Sequence, residues 1–142
     1  MMTKDEILQT IEKENINFFR IQFCDIRGFA KNVAIPRSQI EKALDGKIMF
    51  DGSSIDGFAR IEESDMYLVP DYDTFCILPW RSKDGIAAPR IICDVHKADG
   101  TPFNGCPRVT LKKSLAKAKE MGFTMTSGFT CSVGAIVAPM AK

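Results

Sequence analysis

Histidine is nearly missing from this chain: His96 is the only one in 142 residues. No G-x-S-x-G elbow is written, and the one histidine lacks a plausible triad. Neither G-x-x-x-x-G-K-[ST] nor G-x-G-x-x-G occurs, which leaves no stand-alone phosphate cradle. An excess of one charge is also missing. Nineteen Lys+Arg stand against eighteen Asp+Glu, a formal charge of +1, which excludes a strongly basic nucleic-acid binder. No run of about 18 apolar residues occurs, so no membrane span is expected. The N-terminal MMTKDEILQTIEKEN has no apolar core of a secretory signal. Cys24, Cys76, Cys93, Cys106 and Cys131 are odd in number and form no C-x-x-C pair. That pattern reads as reduced thiols of a cytoplasmic protein, not a disulfide framework or a zinc ribbon. Cys93 and His96 mimic half a metal site, but in a strand residues three apart face opposite sides.

What is present is the balance of one folded domain: 45% hydrophobic and 26% charged residues. Thr3 and Glu6 have capping-box spacing for a first helix to about Glu14, with Ile7, Leu8 and Ile11 as its stripe. Residues 17–24 and 29–35 read as a hairpin turned at Asp25–Gly28. Pro36 opens a short helix to about Leu44, and Gly46 closes it. Strands are predicted at Met66–Val69 and Thr74–Leu78, joined by a turn at Pro70-Asp71. Arg81–Gly85 reads as another turn and Arg90–His96 as a core strand. Pro107–Gly122 reads as one helix with Leu111, Leu115 and Ala118 on its apolar face and lysines on a solvated one. The order predicts an α+β fold with a mixed sheet wrapped around a helix.

One segment carries more information than the rest. Residues 50–71 read FDGSSIDGFARIEESDMYLVPD. Gly52 and Gly57 allow a tight exposed loop, and Asp51, Ser53 and Ser54 gather polar oxygens at its tip. Arg60, Glu62, Glu63 and Asp65 follow closely. Ile55 is the single apolar candidate to anchor the tip. By its residues alone, this is an Asx/ST turn with a solvated charge cluster, or a functional tip. The segment's weak likeness to a calcium loop fails at its sixth position, where Asp56 stands in place of glycine.

The run F-D-G-S-S followed by I-x-G-F-x-R-I-x-E-S-D-M-x-L-x-P-D resembles the N-terminal signature of type I glutamine synthetase, the bacterial and archaeal form. FFRIQFCDIRGFAKNVAIP before it, and ICDV and DGTPFNGCPR after it, extend the resemblance over roughly residues 3–124. It implies a β-grasp domain over residues 1–106, followed from 107 by the start of a catalytic domain. It implies an enzyme that joins ammonia to glutamate with ATP through γ-glutamyl phosphate, using Mg²⁺ or Mn²⁺. It further implies stacked hexameric rings, in which one subunit's N-terminal domain closes its neighbour's site. Asp51 then matches the aspartate that binds ammonium and takes its proton. Ser54 matches a serine near the same region. Arg60 matches an arginine that senses product glutamine in one subgroup. All three would act in trans.

After the Pro107 helix the family continues with G-x-E-x-E-F, whose glutamates are metal ligands. Here the chain reads GFTMTSGFTCSVGAIVAPMAK, and its last 22 residues hold no Asp or Glu. The catalytic domain is therefore expected to be truncated, with a divergent tail from about residue 125. No cofactor is expected on this chain, and no activity alone; ATP and Mg²⁺ or Mn²⁺ belong to the complete enzyme. The expected partners are other synthetase subunits, with no nucleic acid and no membrane. The alternative is a non-catalytic β-grasp interaction module that associates with, or inhibits, full-length subunits.

Overall fold

A computed structural model describes residues 2–55, 65–78, 89–128 and 134–139. Helix α1 (Lys4–Lys13) starts where the capping box puts it. The Glu6 amide donates to Thr3 Oγ1 at 3.3 Å, and the Thr3 amide donates to Glu6 Oε2 at 2.7 Å. Strands β1 (Phe18–Cys24) and β2 (Ala30–Pro36) form the expected antiparallel hairpin. A 3₁₀ turn (Arg37–Gln39) and helix α2 (Ile40–Leu44) follow. Strand β3 (Ile48–Asp51), another 3₁₀ turn (Gly52–Ser54), β4 (Asp65–Ile77), β5 (Pro89–Lys97) and α3 (Pro107–Glu120) complete the main body. A second pair, β6 (Phe123–Gly128) and β7 (Gly134–Pro139), lies beyond it.

The five strands order as β2-β1-β5-β4-β3, with β1 and β5 parallel and the other pairs antiparallel. This is the mixed α+β sheet that the sequence predicts. One face of it is apolar by strict alternation. Phe19, Ile21 and Phe23 of β1, Ile91, Cys93 and Val95 of β5, and Met66 and Leu68 of β4 are all buried. Ile7 and Ile11 of α1 and Ile40, Ala43 and Leu44 of α2 belong to the same core. Tyr72 donates its hydroxyl proton to the Leu44 carbonyl at 2.9 Å, tying β4 to α2. The opposite face of β5 carries Arg90, Ile92, Asp94 and His96, all partly exposed.

The hairpin turn is built on Asp25, a charged side chain only 3% exposed. Its Oδ1 accepts from the amides of Arg27 and Phe29, both at 2.9 Å, and Lys31 Nζ lies 3.4 Å from its Oδ2. Gly28 sits at φ +83°, a conformation that side chains with a Cβ rarely adopt. Burial pushes the Asp25 carboxyl up, but the two amides and Lys31 outweigh it and hold the group below its ordinary 3.8.

Four expectations need correction. Met66–Val69 and Thr74–Leu78 are not two strands around a turn; β4 is continuous and bent. β3 pairs only with Asp65–Leu68, so Pro70 lies past the end of β3, where its missing N–H leaves no ladder bond unmade. The register with β5 shifts between Asp71 and Cys76. Thr74 bridges that irregularity: its hydroxyl donates to the Asp71 carbonyl at 2.6 Å and accepts from the Ile92 amide at 2.8 Å. Second, the informative segment does not begin as a loop: Phe50 and Asp51 close strand β3, Ile48–Asp51. Third, α3 does not bury its Leu111 face: Leu111 is 49% and Leu115 37% exposed, and Val109 is the buried residue. Helical spacing identifies an apolar face but not its partner. Fourth, the lysines of α3 are exposed as expected, but Lys112 also pairs with Asp94, and Arg108, one turn before it, pairs with Asp71. The segment from Phe123, for which the sequence predicts no element, forms the β6–β7 hairpin. The turn expected at Arg81–Gly85 lies outside the described residues.

Two measurements check this account. Leu68→Ala removes a fully buried side chain at the sheet centre and is expected to lower stability by about 2–5 kcal/mol in denaturant unfolding. Asp25→Asn is expected to lower the thermal midpoint at pH 7. Because the folded-state pKa is depressed, the wild-type advantage is full above 3.8 and fades as pH falls below it. Unfolding midpoints of the two proteins should therefore converge under acid.

Candidate functional site

Asp51 stands at the end of the edge strand β3. Its position follows from the residue before it. Phe50 packs against the core, its ring centroid 4.9 Å from that of Phe23, so the next residue in the strand turns outward. Asp51 is accordingly exposed. It then caps the 3₁₀ turn: Asp51 Oδ1 accepts from the Ser53 amide at 2.9 Å and from Ser53 Oγ at 2.6 Å. Ile55, the expected anchor, is packed against the core and holds the far side of the turn.

The Ser53 hydroxyl, then the Ser53 amide, hold the Asp51 carboxyl below its ordinary 3.8, with weak opposition from desolvation. The group is a carboxylate throughout the neutral range. Asp65 opens β4 directly opposite Asp51 in the antiparallel register. Side chains at opposed positions share one face of a sheet, so two exposed acids lie across from each other. The sequence reading assigns Asp65 to loop structure; the pairing makes it part of the same negative tip. Its signal was the spacing of two polar residues that flank apolar strands, visible only once β3 is known to be a strand.

Of the predicted site residues, Asp51 is thus placed at a preorganised tip. Ser54 lies in the adjacent turn, Gly52–Ser54. Arg60 lies outside the described residues, as do Glu62 and Glu63. Ser53 engages Asp51 through both its amide and its hydroxyl. Cys93 and His96 point to opposite faces as expected: Cys93 is buried, and burial pushes its thiol up to about 12, whereas His96 Nδ1 meets the Gly100 carbonyl at 3.0 Å. The four described cysteines are free. No grouping of three His, Cys, Asp or Glu suited to a metal occurs among the described residues, and no helix there is long and apolar enough to cross a membrane.

A mixed sheet with its first and last strands parallel at the centre, closed over helices on one face, is the β-grasp architecture. The chain belongs to the glutamine synthetase family through this domain: the family model described as "Glutamine synthetase, beta-Grasp domain" matches residues 15–98. The chain is 57% identical over 129 residues to glutamine synthetase of Clostridium saccharobutylicum, covering 91% of the chain and 29% of that protein. Against the Staphylococcus epidermidis glutamine synthetase the identity is 58% over 122 residues, covering 86% and 27%. It therefore spans less than a third of the length of these relatives. A solved structure described as "GmaS/ADP complex-Conformation 1" superposes with a TM-score of 0.73 at 26% identity, covering 83% of the chain and 26% of that structure. Plasmodium falciparum glutamine synthetase shares the fold, with a TM-score of 0.75 at 19% identity, covering 98% and 30%.

The carboxylate tip makes a direct prediction. Ser53→Ala removes the hydroxyl that donates to Asp51 at 2.6 Å and should raise the Asp51 pKa, read by carboxyl NMR titration. Asp51→Ala should move the thermal midpoint by less than about 4 °C, because the site is at the surface.

Proposed function

We propose that this chain supplies one wall of a glutamine synthetase active site, with the Asp51 tip as its working part. The observation that carries this reading is the geometry of Asp51. The group is held outward by Phe50, fixed by Ser53, kept ionised and faced by a second acid. Such a tip attracts a small cation, and ammonium is the cation that glutamine synthesis consumes. The lowered pKa suits Asp51 to hold ammonium more than to store a proton. Asp51 would take a proton from the bound ammonium before attack, which leaves ammonia with the lone pair that forms the new N–C bond.

Among the described residues no grouping of three ligating side chains suits a divalent metal. ATP and Mg²⁺ or Mn²⁺ would be held by parts of the relatives that have no counterpart in this chain. Asp51 would act in trans, towards another synthetase subunit in a ring assembly. Ser54 and Arg60 belong to the same proposal, as a neighbour of the ammonium region and as a sensor of product glutamine. The 1–106 and 107–142 division and a cytoplasmic location belong to it too.

The test is a chimera in which residues 3–124 replace the matching segment of the Clostridium saccharobutylicum enzyme. Asp51→Asn in that chimera should cut ammonium-dependent kcat/KM by about 10²–10⁴-fold. An unchanged rate would overturn the role of Asp51. The 142-residue chain alone should release phosphate from ATP, glutamate and ammonia only at background.

A second reading is favoured by one observation: Leu111, Leu115, Met121, Phe123 and Met125 all expose more than a third of their surface. Apolar side chains gathered on α3 and β6, which pack together, suit a module that joins full-length subunits without catalysis. Co-expression with a complete synthetase separates the readings. Under this one, subunit activity changes and the Asp51→Ala variant has the same effect.

A further inference from the structure

We propose that α3 and the β6–β7 hairpin form one unit, docked on the sheet by a four-charge latch and able to undock while the sheet stays folded. The latch joins two cations one helical turn apart, Arg108 and Lys112, to two acids on neighbouring strands, Asp71 of β4 and Asp94 of β5. In the β4–β5 register Val69 pairs with Asp94 and Asp71 with Ile92, so the two acids lie diagonally adjacent on one face of the sheet. Arg108 contacts Asp71 Oδ2 and places Nε 2.9 Å from Asp94 Oδ1. Lys112 contacts Asp94 Oδ2 and lies 3.6 Å from Asp71 Oδ2. Each cation thus touches both acids, and the acids would repel each other without them.

Little else holds the helix. Val109 is the buried residue of α3, and its length from Leu111 onward is exposed apart from Ala118. Arg108 Nε and Asp94 Oδ1 are buried and have no aligned hydrogen bond, so charge attraction alone satisfies them. Water would solvate both on undocking, which offsets part of the cost of opening. Once free, the unit cannot stay ordered on its own. A helix of 14 residues is near the length at which isolated helices are marginal in water, and a lone two-stranded hairpin is marginal too. Undocking therefore exposes the amides of α3 and β6 together. Salt weakens the latch, and the half-exposed Lys112 is screened before the deeper Arg108–Asp94 pair.

The experiment is native-state hydrogen exchange on the full chain, with β1 and β5 amides as the internal reference. In 0.05 M NaCl the amides of α3 and β6 should open as one group, ahead of the reference. In 1 M NaCl their opening should quicken at least about threefold while the reference is unchanged. Arg108→Gln should speed the same group by at least about tenfold, and Lys112→Gln by less. The unaltered chain in two salts already decides the matter if a variant does not fold. Opening of α3 together with β1 and β5 in both salts overturns the proposal. So does early opening of α3 that is indifferent to salt.

Discussion

The pairing of β1 with β5 is the constraint on which the rest depends. It is parallel and short, from Arg20 opposite Arg90 to Gln22 opposite Ile92. Parallel neighbours cannot be joined by a tight turn, so the chain between them must leave the sheet and return. That excursion holds β2 on one flank, and α2, β3 and β4 on the other. Ile21 and Ile91, opposite each other in this register, are almost fully buried, and Arg90 Nη1 donates to Gln22 Oε1 at 2.8 Å on the other face. Both faces of the central pair are thus tied by side chains. The contact is distant in sequence, and its loop-closure entropy has to be met before either flank gains a partner.

From that centre, strand pairing thins outward in a way that suits the site. β4 is held by β5 along most of its length. β3 is four residues long and is held by β4 alone among the described strands. Asp51 is its last residue. A side chain there contributes little to the core, so it is available for chemistry. Phe50 and Ile55 pack against the core on either side of the turn and keep it from being merely loose. The combination of two apolar anchors and one capped acid is what distinguishes this tip from an ordinary solvated turn.

Much of this was legible in the residues. The capping box at Thr3, the hairpin at Asp25–Gly28 and the start of α3 at Pro107 each rest on local chemistry, and local chemistry is written in short windows. The bend in β4 was not legible, because Pro70-Asp71 is a sound turn signal. Only the early end of β3 frees Pro70 from a ladder bond, and that is a tertiary fact. The exposure of Leu111 failed to show for a similar reason: periodicity records that a face is apolar, not what lies against it. At the site, Asp51 was readable from its motif, whereas its facing partner Asp65 required the register of β3 against β4. That Ser53 fixes Asp51 through both its amide and its hydroxyl is likewise a matter of geometry.

The two surfaces left open by this fold differ in kind. The Asp51 tip is polar, and water satisfies it without penalty, so it can remain exposed and still be preorganised. The Leu111 face is apolar, and each side chain there, partly exposed, forgoes a fraction of the about 1.5–3 kcal/mol that full burial is worth. A polar tip needs another molecule only for chemistry. An apolar face gains from covering whatever the chemistry. The relatives carry more than twice this length of chain outside the matched part. What separates the surfaces is their attachment. The tip is carried by a sheet whose buried face is continuous from β1 to β4. The apolar face is carried by a helix that a few charges hold to that sheet. A ligand that engages Asp51 therefore meets a rigid partner, while a surface that covers Leu111 and Leu115 must also set the angle of the element it binds.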